Sequence, residues 1–102
     1  MDSSKFLNKI QLGIRKFDKT AEIILYGSRA RGDYRRDSDW DILILLNCSV
    51  DEELKEKIRD ELFEIELETE QAISSIIQSK KKWNNLGKTP FHQNIEKEGV
   101  LL

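Results

Sequence analysis

Two apolar runs, Ile23-Ile24-Leu25-Tyr26 and Ile42-Leu43-Ile44-Leu45-Leu46, limit what this chain can fold into more than any other feature. Neither alternates apolar with polar residues, so neither reads as an exposed edge. Each reads as a strand inside the sheet. Consecutive strands are usually neighbours, so the two are expected to pair inside one sheet. With 102 residues and 38% apolar content, the chain can build one small core. A single domain over residues 1–102 is expected, without a separate substrate-binding domain.

The remaining elements follow from periodicity and caps. Ser3 or Ser4 can cap a helix with Phe6, Ile10, Ile14 and Phe17 on one stripe, and Asp18-Lys19-Thr20 breaks it. Ser49 and Glu52 have capping-box spacing ahead of Leu54, Ile58, Leu62 and Ile65, which predicts a second amphipathic helix. Its many Glu, Lys and Arg residues read as a solvated face. Isoleucines among serines predict a third strand over roughly Glu70 to Gln78. Ser79 caps a short helix with Trp83 facing inward. Pro90 opens a last helix, with Phe91 and Ile95 on one side and Gly99 closing it, and Val100-Leu101-Leu102 reads as an apolar tail. The expected class is α/β (α+β): a small mixed β-sheet of three or more strands with helices mainly on one face.

Several function classes are disfavoured at once. The net charge of -2 arises from many charges of both signs, so strong binding of free nucleic acid is not expected. No apolar run approaches the roughly 20 residues of a membrane helix, and the N-terminus lacks a signal-peptide core. A cytoplasmic protein without membrane contact is expected. The single cysteine, Cys48, ends an apolar run and reads as a buried thiol, while His92, the only histidine, reads as a surface or cap residue.

The chemistry is expected between the two strands. Gly27-Ser28 leaves the first strand in a turn whose backbone N–H groups and hydroxyl can approach a phosphate. Alternate strand residues share a face, so Asp39 and Asp41 project together while Trp40 faces the other way. Two unpaired carboxylates beside an apolar strand call for cations, and hard oxygen ligands suit Mg²⁺ or Mn²⁺. Two ions clamped by shared carboxylates would serve in-line phosphoryl or nucleotidyl transfer. Arg29 and Arg31 lie close enough to the turn to contact phosphates bidentately, whereas Arg35 and Arg36 read as surface residues.

Gly27-Ser28, ten residues, then Asp39-Trp40-Asp41 resembles the signature of the nucleotidyltransferase superfamily that includes DNA polymerase β. The form Gly-Ser-Arg-Ala-Arg-Gly followed by Ser-Asp-x-Asp is similar to its minimal single-domain branch, the MNT proteins. The segment Pro90 to Gly99 also looks like the closing helix of such proteins. The resemblance implies Mg²⁺-dependent transfer of a nucleoside monophosphate, AMP from ATP, with Gly27 and Ser28 on the triphosphate and Asp39 and Asp41 on the metals. It also implies a protein partner, because small chains of this kind are often antitoxins of HEPN-domain ribonuclease toxins that some of them adenylylate on a tyrosine. The superfamily normally adds a third carboxylate from a later strand. Here no Asp follows Asp60, so Glu70 is the expected third ligand, with Glu68 next in line on the same face.

Two other readings stand beside this one. The chain could be a catalytically weak binding module that neutralises a toxin by occlusion. It could also serve a small-molecule acceptor, with an oligomer supplying the surface that a second domain would otherwise provide.

Overall fold

In a computed structural model, residues 3–87 and 89–102 are described. The elements run α1 (Ser3–Arg15), β1 (Glu22–Tyr26), α2 (Ser28–Arg31), β2 (Trp40–Leu46), α3 (Glu52–Thr69), β3 (Ile73–Ser79), α4 (Lys80–Asn85), α5 (Pro90–Glu98) and β4 (Val100–Leu101). The sheet is mixed, with strand order β3-β2-β1-β4. β2 is antiparallel to β1 and parallel to β3, and β4 adds antiparallel to the outer edge of β1.

β1 and β2 are the two inner strands, as their continuous apolarity leads one to expect, and both of their faces are covered. On one face, Ile23, Leu25, Trp40, Ile42 and Ile44 join Phe6, Ile10 and Ile14 of α1 and Ile58, Leu62 and Ile65 of α3 in the larger core. On the other, Tyr26, Leu43 and Leu45 meet Trp83 of α4 and Ile95 of α5 in a smaller one. The alternation also settles where Asp41 points: it shares the parity of Leu43 and Leu45, so it lies on the face of the smaller cluster. Among the described residues no helix is long and apolar enough to cross a membrane.

Several local expectations are corrected. α3 is capped by Asp51, whose carboxylate accepts from the Leu54 amide at 2.8 Å, so Ser49 lies outside the helix. α3 also continues through Thr69, whose hydroxyl donates to the Ile65 carbonyl, so β3 begins at Ile73 and not near Glu70. Cys48 is exposed, because β2 ends at Leu46 and the turn after it is held at the surface by the Asn47 amide donating to Asp18. That bond is the main reason the Asp18 carboxyl sits below its usual value. Phe91 is exposed, and His92 is the residue that joins Ile95 in the buried face of α5. The last residues form an edge strand: Leu101 pairs with Ile24, and the Leu102 amide donates to the Ile23 carbonyl at 2.8 Å. Gly99 permits this tight entry, since a Cβ there would lie 2.7 Å from Ile24 Cγ2 and 2.5 Å from the Ile95 carbonyl oxygen.

Central burial sets the expected response to truncation. Ile44 is fully buried, and Ile44→Ala is expected to cost about 2–5 kcal/mol, whereas Leu12→Ala on the exposed face of α1 should stay within about 0.5 kcal/mol. Chemical denaturation of both variants measures the contrast.

Candidate active site

Gly27, Asp39 and Asp41 are brought together where β1 ends and β2 begins. Tyr26 is the register partner of Asp41, so the turn that follows Tyr26 lies against the Asp41 carboxylate. Gly27 has φ 74°, a left-handed conformation that strains any other residue, and a Cβ on it would collide with Asp41 Oδ2 and lie 3.0 Å from its Cγ. The glycine thus admits the carboxylate to the start of α2. Gly27 also caps that helical turn: its carbonyl accepts from the Ala30 and Arg31 amides, at 3.1 and 3.0 Å. The amides of Ser28 and Arg29 head the turn, where helix geometry gives them no intrahelical acceptor.

Asp39 is exposed and Asp41 half-buried. Burial raises the Asp41 pKa above the ordinary 3.8 and the nearby Asp39 charge raises it further, while Arg31 opposes both. Burial, reinforced by Asp41, likewise raises the Tyr26 hydroxyl above 10.0. A divalent cation would relieve the carboxylate pair, and Mg²⁺ is commonly held by one or two protein carboxylates together with substrate phosphates. The donor set fits such an ion.

The structure separates the two arginines expected at the phosphates. The Arg29 guanidinium lies 4.3 Å from the ring centroids of both Tyr34 and Trp40, on the Trp40 side of the strand. Its Nη2 donates to the carbonyls of Ser38 and Arg36, at 3.0 and 3.2 Å, and its Nε to Ser38 at 3.3 Å. The expectation of a phosphate contact by Arg29 is therefore corrected: its donors and π-contacts hold the loop from Gly32 to Asp39 against β2. Trp40 completes that clamp by packing 4.9 Å from Phe6 and donating its indole N–H to Gln71. Arg31 stays on the Asp41 side, bonded to Asp33 at 3.2 Å and to Glu98 of α5 at 3.2 and 3.3 Å. α5 therefore forms one wall of the site, and Phe91 makes an edge contact with Tyr26 at 6.1 Å on the same wall.

Glu70 does not join the aspartates. It ends α3 at φ 57° with its amide bonded to the Glu66 carbonyl, in the turn before β3. Glu68 is engaged by Lys9 at 2.6 Å, and Glu66 accepts from the Ile73 amide at 3.1 Å. Among the described residues no group of three or more His, Cys, Asp and Glu side chains could hold a metal. Both glutamates miss the pair because α3 runs further than its charge-rich sequence suggests. His92 is also not the surface residue expected from its position. Thr89 caps its amide, but its ring is buried and stacked 4.5 Å from Trp83, with neither ring nitrogen hydrogen-bonded among the described residues.

A family model for the nucleotidyltransferase domain matches residues 7–102, nearly the whole described fold. The chain belongs to the nucleotidyltransferase family. Two Methanocaldococcus jannaschii proteins, both provisionally named protein adenylyltransferases, agree with it. MJ0604 is 33% identical over 98 residues, covering 96% of this chain and 91% of its own. MJ0141 is 39% identical over 83 residues, covering 81% and 79%. Among solved structures, a toxin–antitoxin with AMP-PNP shares the fold at TM-score 0.66 and 21% identity, over 92% of this chain and 69% of its own. A mutant of the toxin–antitoxin MntA-HpeT follows at TM-score 0.65 and 19% identity, with the same coverage. As in other nucleotidyltransferases, the reaction class is transfer of a nucleotidyl group.

Tyr26, Phe91 and Glu98 were not among the sequence-derived candidates. Tyr26 could have been placed by pairing the two apolar runs end to end. The two α5 residues could not, because α5 reaches the site through tertiary packing, with Ile95 on the sheet and β4 on the edge of β1.

The raised Asp41 pKa has a testable sign. The folded chain holds this proton more tightly than the unfolded chain, so the stabilisation is complete below pH 3.8 and lost as pH rises through the raised value. Metal-free Asp41→Asn is expected to melt above wild type at pH 7 and close to it at pH 3, which thermal unfolding at the two pH values would check. Gly27→Ala should displace the carboxylate and cost about 1–3 kcal/mol through its strained backbone, measured by denaturation.

Proposed function

We propose that this chain, acting as one minimal domain in the cytoplasm, transfers AMP from ATP to a partner protein and so serves as the antitoxin of a HEPN-type ribonuclease toxin. The observation that carries the reading is the Asp41 carboxylate seated against Gly27, at the turn that opens α2. The names of the M. jannaschii relatives support protein adenylylation, and the AMP-PNP in one structural neighbour supports ATP as donor.

Asp39 and Asp41 would hold Mg²⁺, with Mn²⁺ as an alternative. When bound, the ion would neutralise triphosphate charge and favour the ionised form of the attacking hydroxyl. The amides at the start of α2 and the Ser28 hydroxyl would hold the triphosphate in line. Arg31 would exchange its ion pairs with Asp33 and Glu98 for phosphate oxygens, an exchange that a bidentate guanidinium favours. The acceptor hydroxyl oxygen then bonds to the α-phosphorus as the bond to the bridging oxygen breaks and pyrophosphate leaves, while the hydroxyl proton passes to solvent. Tyr26 and Phe91 would line the acceptor side.

Neutralisation of the toxin by occlusion alone is the second reading, favoured because no third carboxylate among the described residues groups with Asp39 and Asp41. Incubation with α-labelled ATP, Mg²⁺ and the protein encoded beside this one is expected to label that protein. Asp39→Asn and Asp41→Asn should each reduce labelling at least about a hundredfold, the scale of losing a group that stabilises transition-state charge. If the doubly substituted chain still rescues growth from the toxin while wild type transfers no label, occlusion replaces transfer as the function.

A further inference from the structure

β2 and β3 run parallel in a register that sets Asp41 beside Ser74, Leu43 beside Ile76 and Leu45 beside Gln78. Matched residues of neighbouring strands point to the same face, with the strands about 4.8 Å apart. Ile76 and Leu43 confirm the face, since both belong with the cluster around Tyr26, Trp83 and Ile95. The lateral neighbours of Asp41 are therefore Tyr26 on β1 and Ser74 on β3, a phenol and an alcohol. Ser74 is exposed, so the position is open to solvent and to a ligand.

The carboxylates just before β3 are committed elsewhere, and Glu98 on the α5 wall is paired with Arg31. Glu66 accepts from the Ile73 amide, Glu68 is paired with Lys9, and Glu70 closes α3. Two divalent ions at the roughly 4 Å spacing of two-metal sites bring four positive charges together, which two carboxylates only half neutralise. One ion is matched by the Asp39 and Asp41 charges.

We propose that this chain holds one divalent cation on Asp39 and Asp41, with Ser74 standing where a carboxylate would admit a second ion. The proposal rests on the metal-dependent transfer reading above and narrows it. Any further positive charge on the triphosphate must come from Arg31, from the partner, or from an ion that arrives with the nucleotide.

Titration of the whole chain with Mn²⁺ alone, counting free ion by electron paramagnetic resonance, tests this without reference to turnover. Wild type is expected to bind one Mn²⁺ per chain, and the double variant Asp39→Asn, Asp41→Asn none at that site. Ser74→Asp should bind a second ion or hold the first at least tenfold more tightly, and Ser74→Ala should leave the count at one. Ser74→Glu repeats the gain if Ser74→Asp fails to fold by circular dichroism. Two ions on wild type, both lost with the aspartates, overturn this proposal alone. A folded Ser74→Asp and Ser74→Glu that bind as wild type does also overturn it. The absence of any aspartate-dependent binding overturns it together with the metal-dependent reading on which it rests.

Discussion

Asp41 is a carboxylate on a strand whose next five residues are all buried and apolar, and much of the surrounding structure follows from accommodating it. A charged group that close to a core is unfavourable unless something meets it. The fold answers with space in place of a permanent partner. Gly27 removes the side chain that would fill the gap, and Arg31 approaches near enough to moderate the charge while bonding to Asp33 and Glu98. The carboxylate is left under-compensated, which is the condition in which it gains most from a cation.

The loop between Gly32 and Asp39 faces the opposite problem, because it is polar and exposed yet must deliver Asp39 beside Asp41. Its rigidity comes from the far side of the sheet. Arg29 lies between two aromatic rings and bonds two loop carbonyls, while Trp40 is anchored by Phe6 and Gln71. Two adjacent positions on β2 therefore do opposite jobs: Trp40 fixes the loop on one face, and Asp41 presents its carboxylate on the other.

The sequence exposed these features unequally. The paired inner strands, the Gly27 turn and the nearness of Asp39 to Asp41 could be read directly, because each depends on short sequence spacing or on a residue with a special backbone. The partition of the arginines could not, since whether Arg29 reaches a phosphate or an aromatic ring depends on how the loop folds over Trp40. The length of α3 was obscured because its last turn, Glu66 to Thr69, lacks the isoleucine stripe and is held instead by the buried Thr69 hydroxyl. That error displaced the start of β3 and drew attention to Glu70 when register points to Ser74. β4 was hidden for a simpler reason: two residues carry no periodicity, and their pairing with β1 is a tertiary event.

The remote pairing of β4 also has a consequence in time. Leu101 meets Ile24 and Arg31 meets Glu98 across most of the chain, so these contacts close long loops and gain nothing until residues 98–102 have been made. During synthesis the pair β1 and β2 can form early, with the Gly27 turn and both aspartates in place, while the outer edge of β1 and the α5 wall wait. The half of the site built by β1 and β2 thus precedes in the chain the half built by α5 and β4, and the enclosure closes only when that later segment packs.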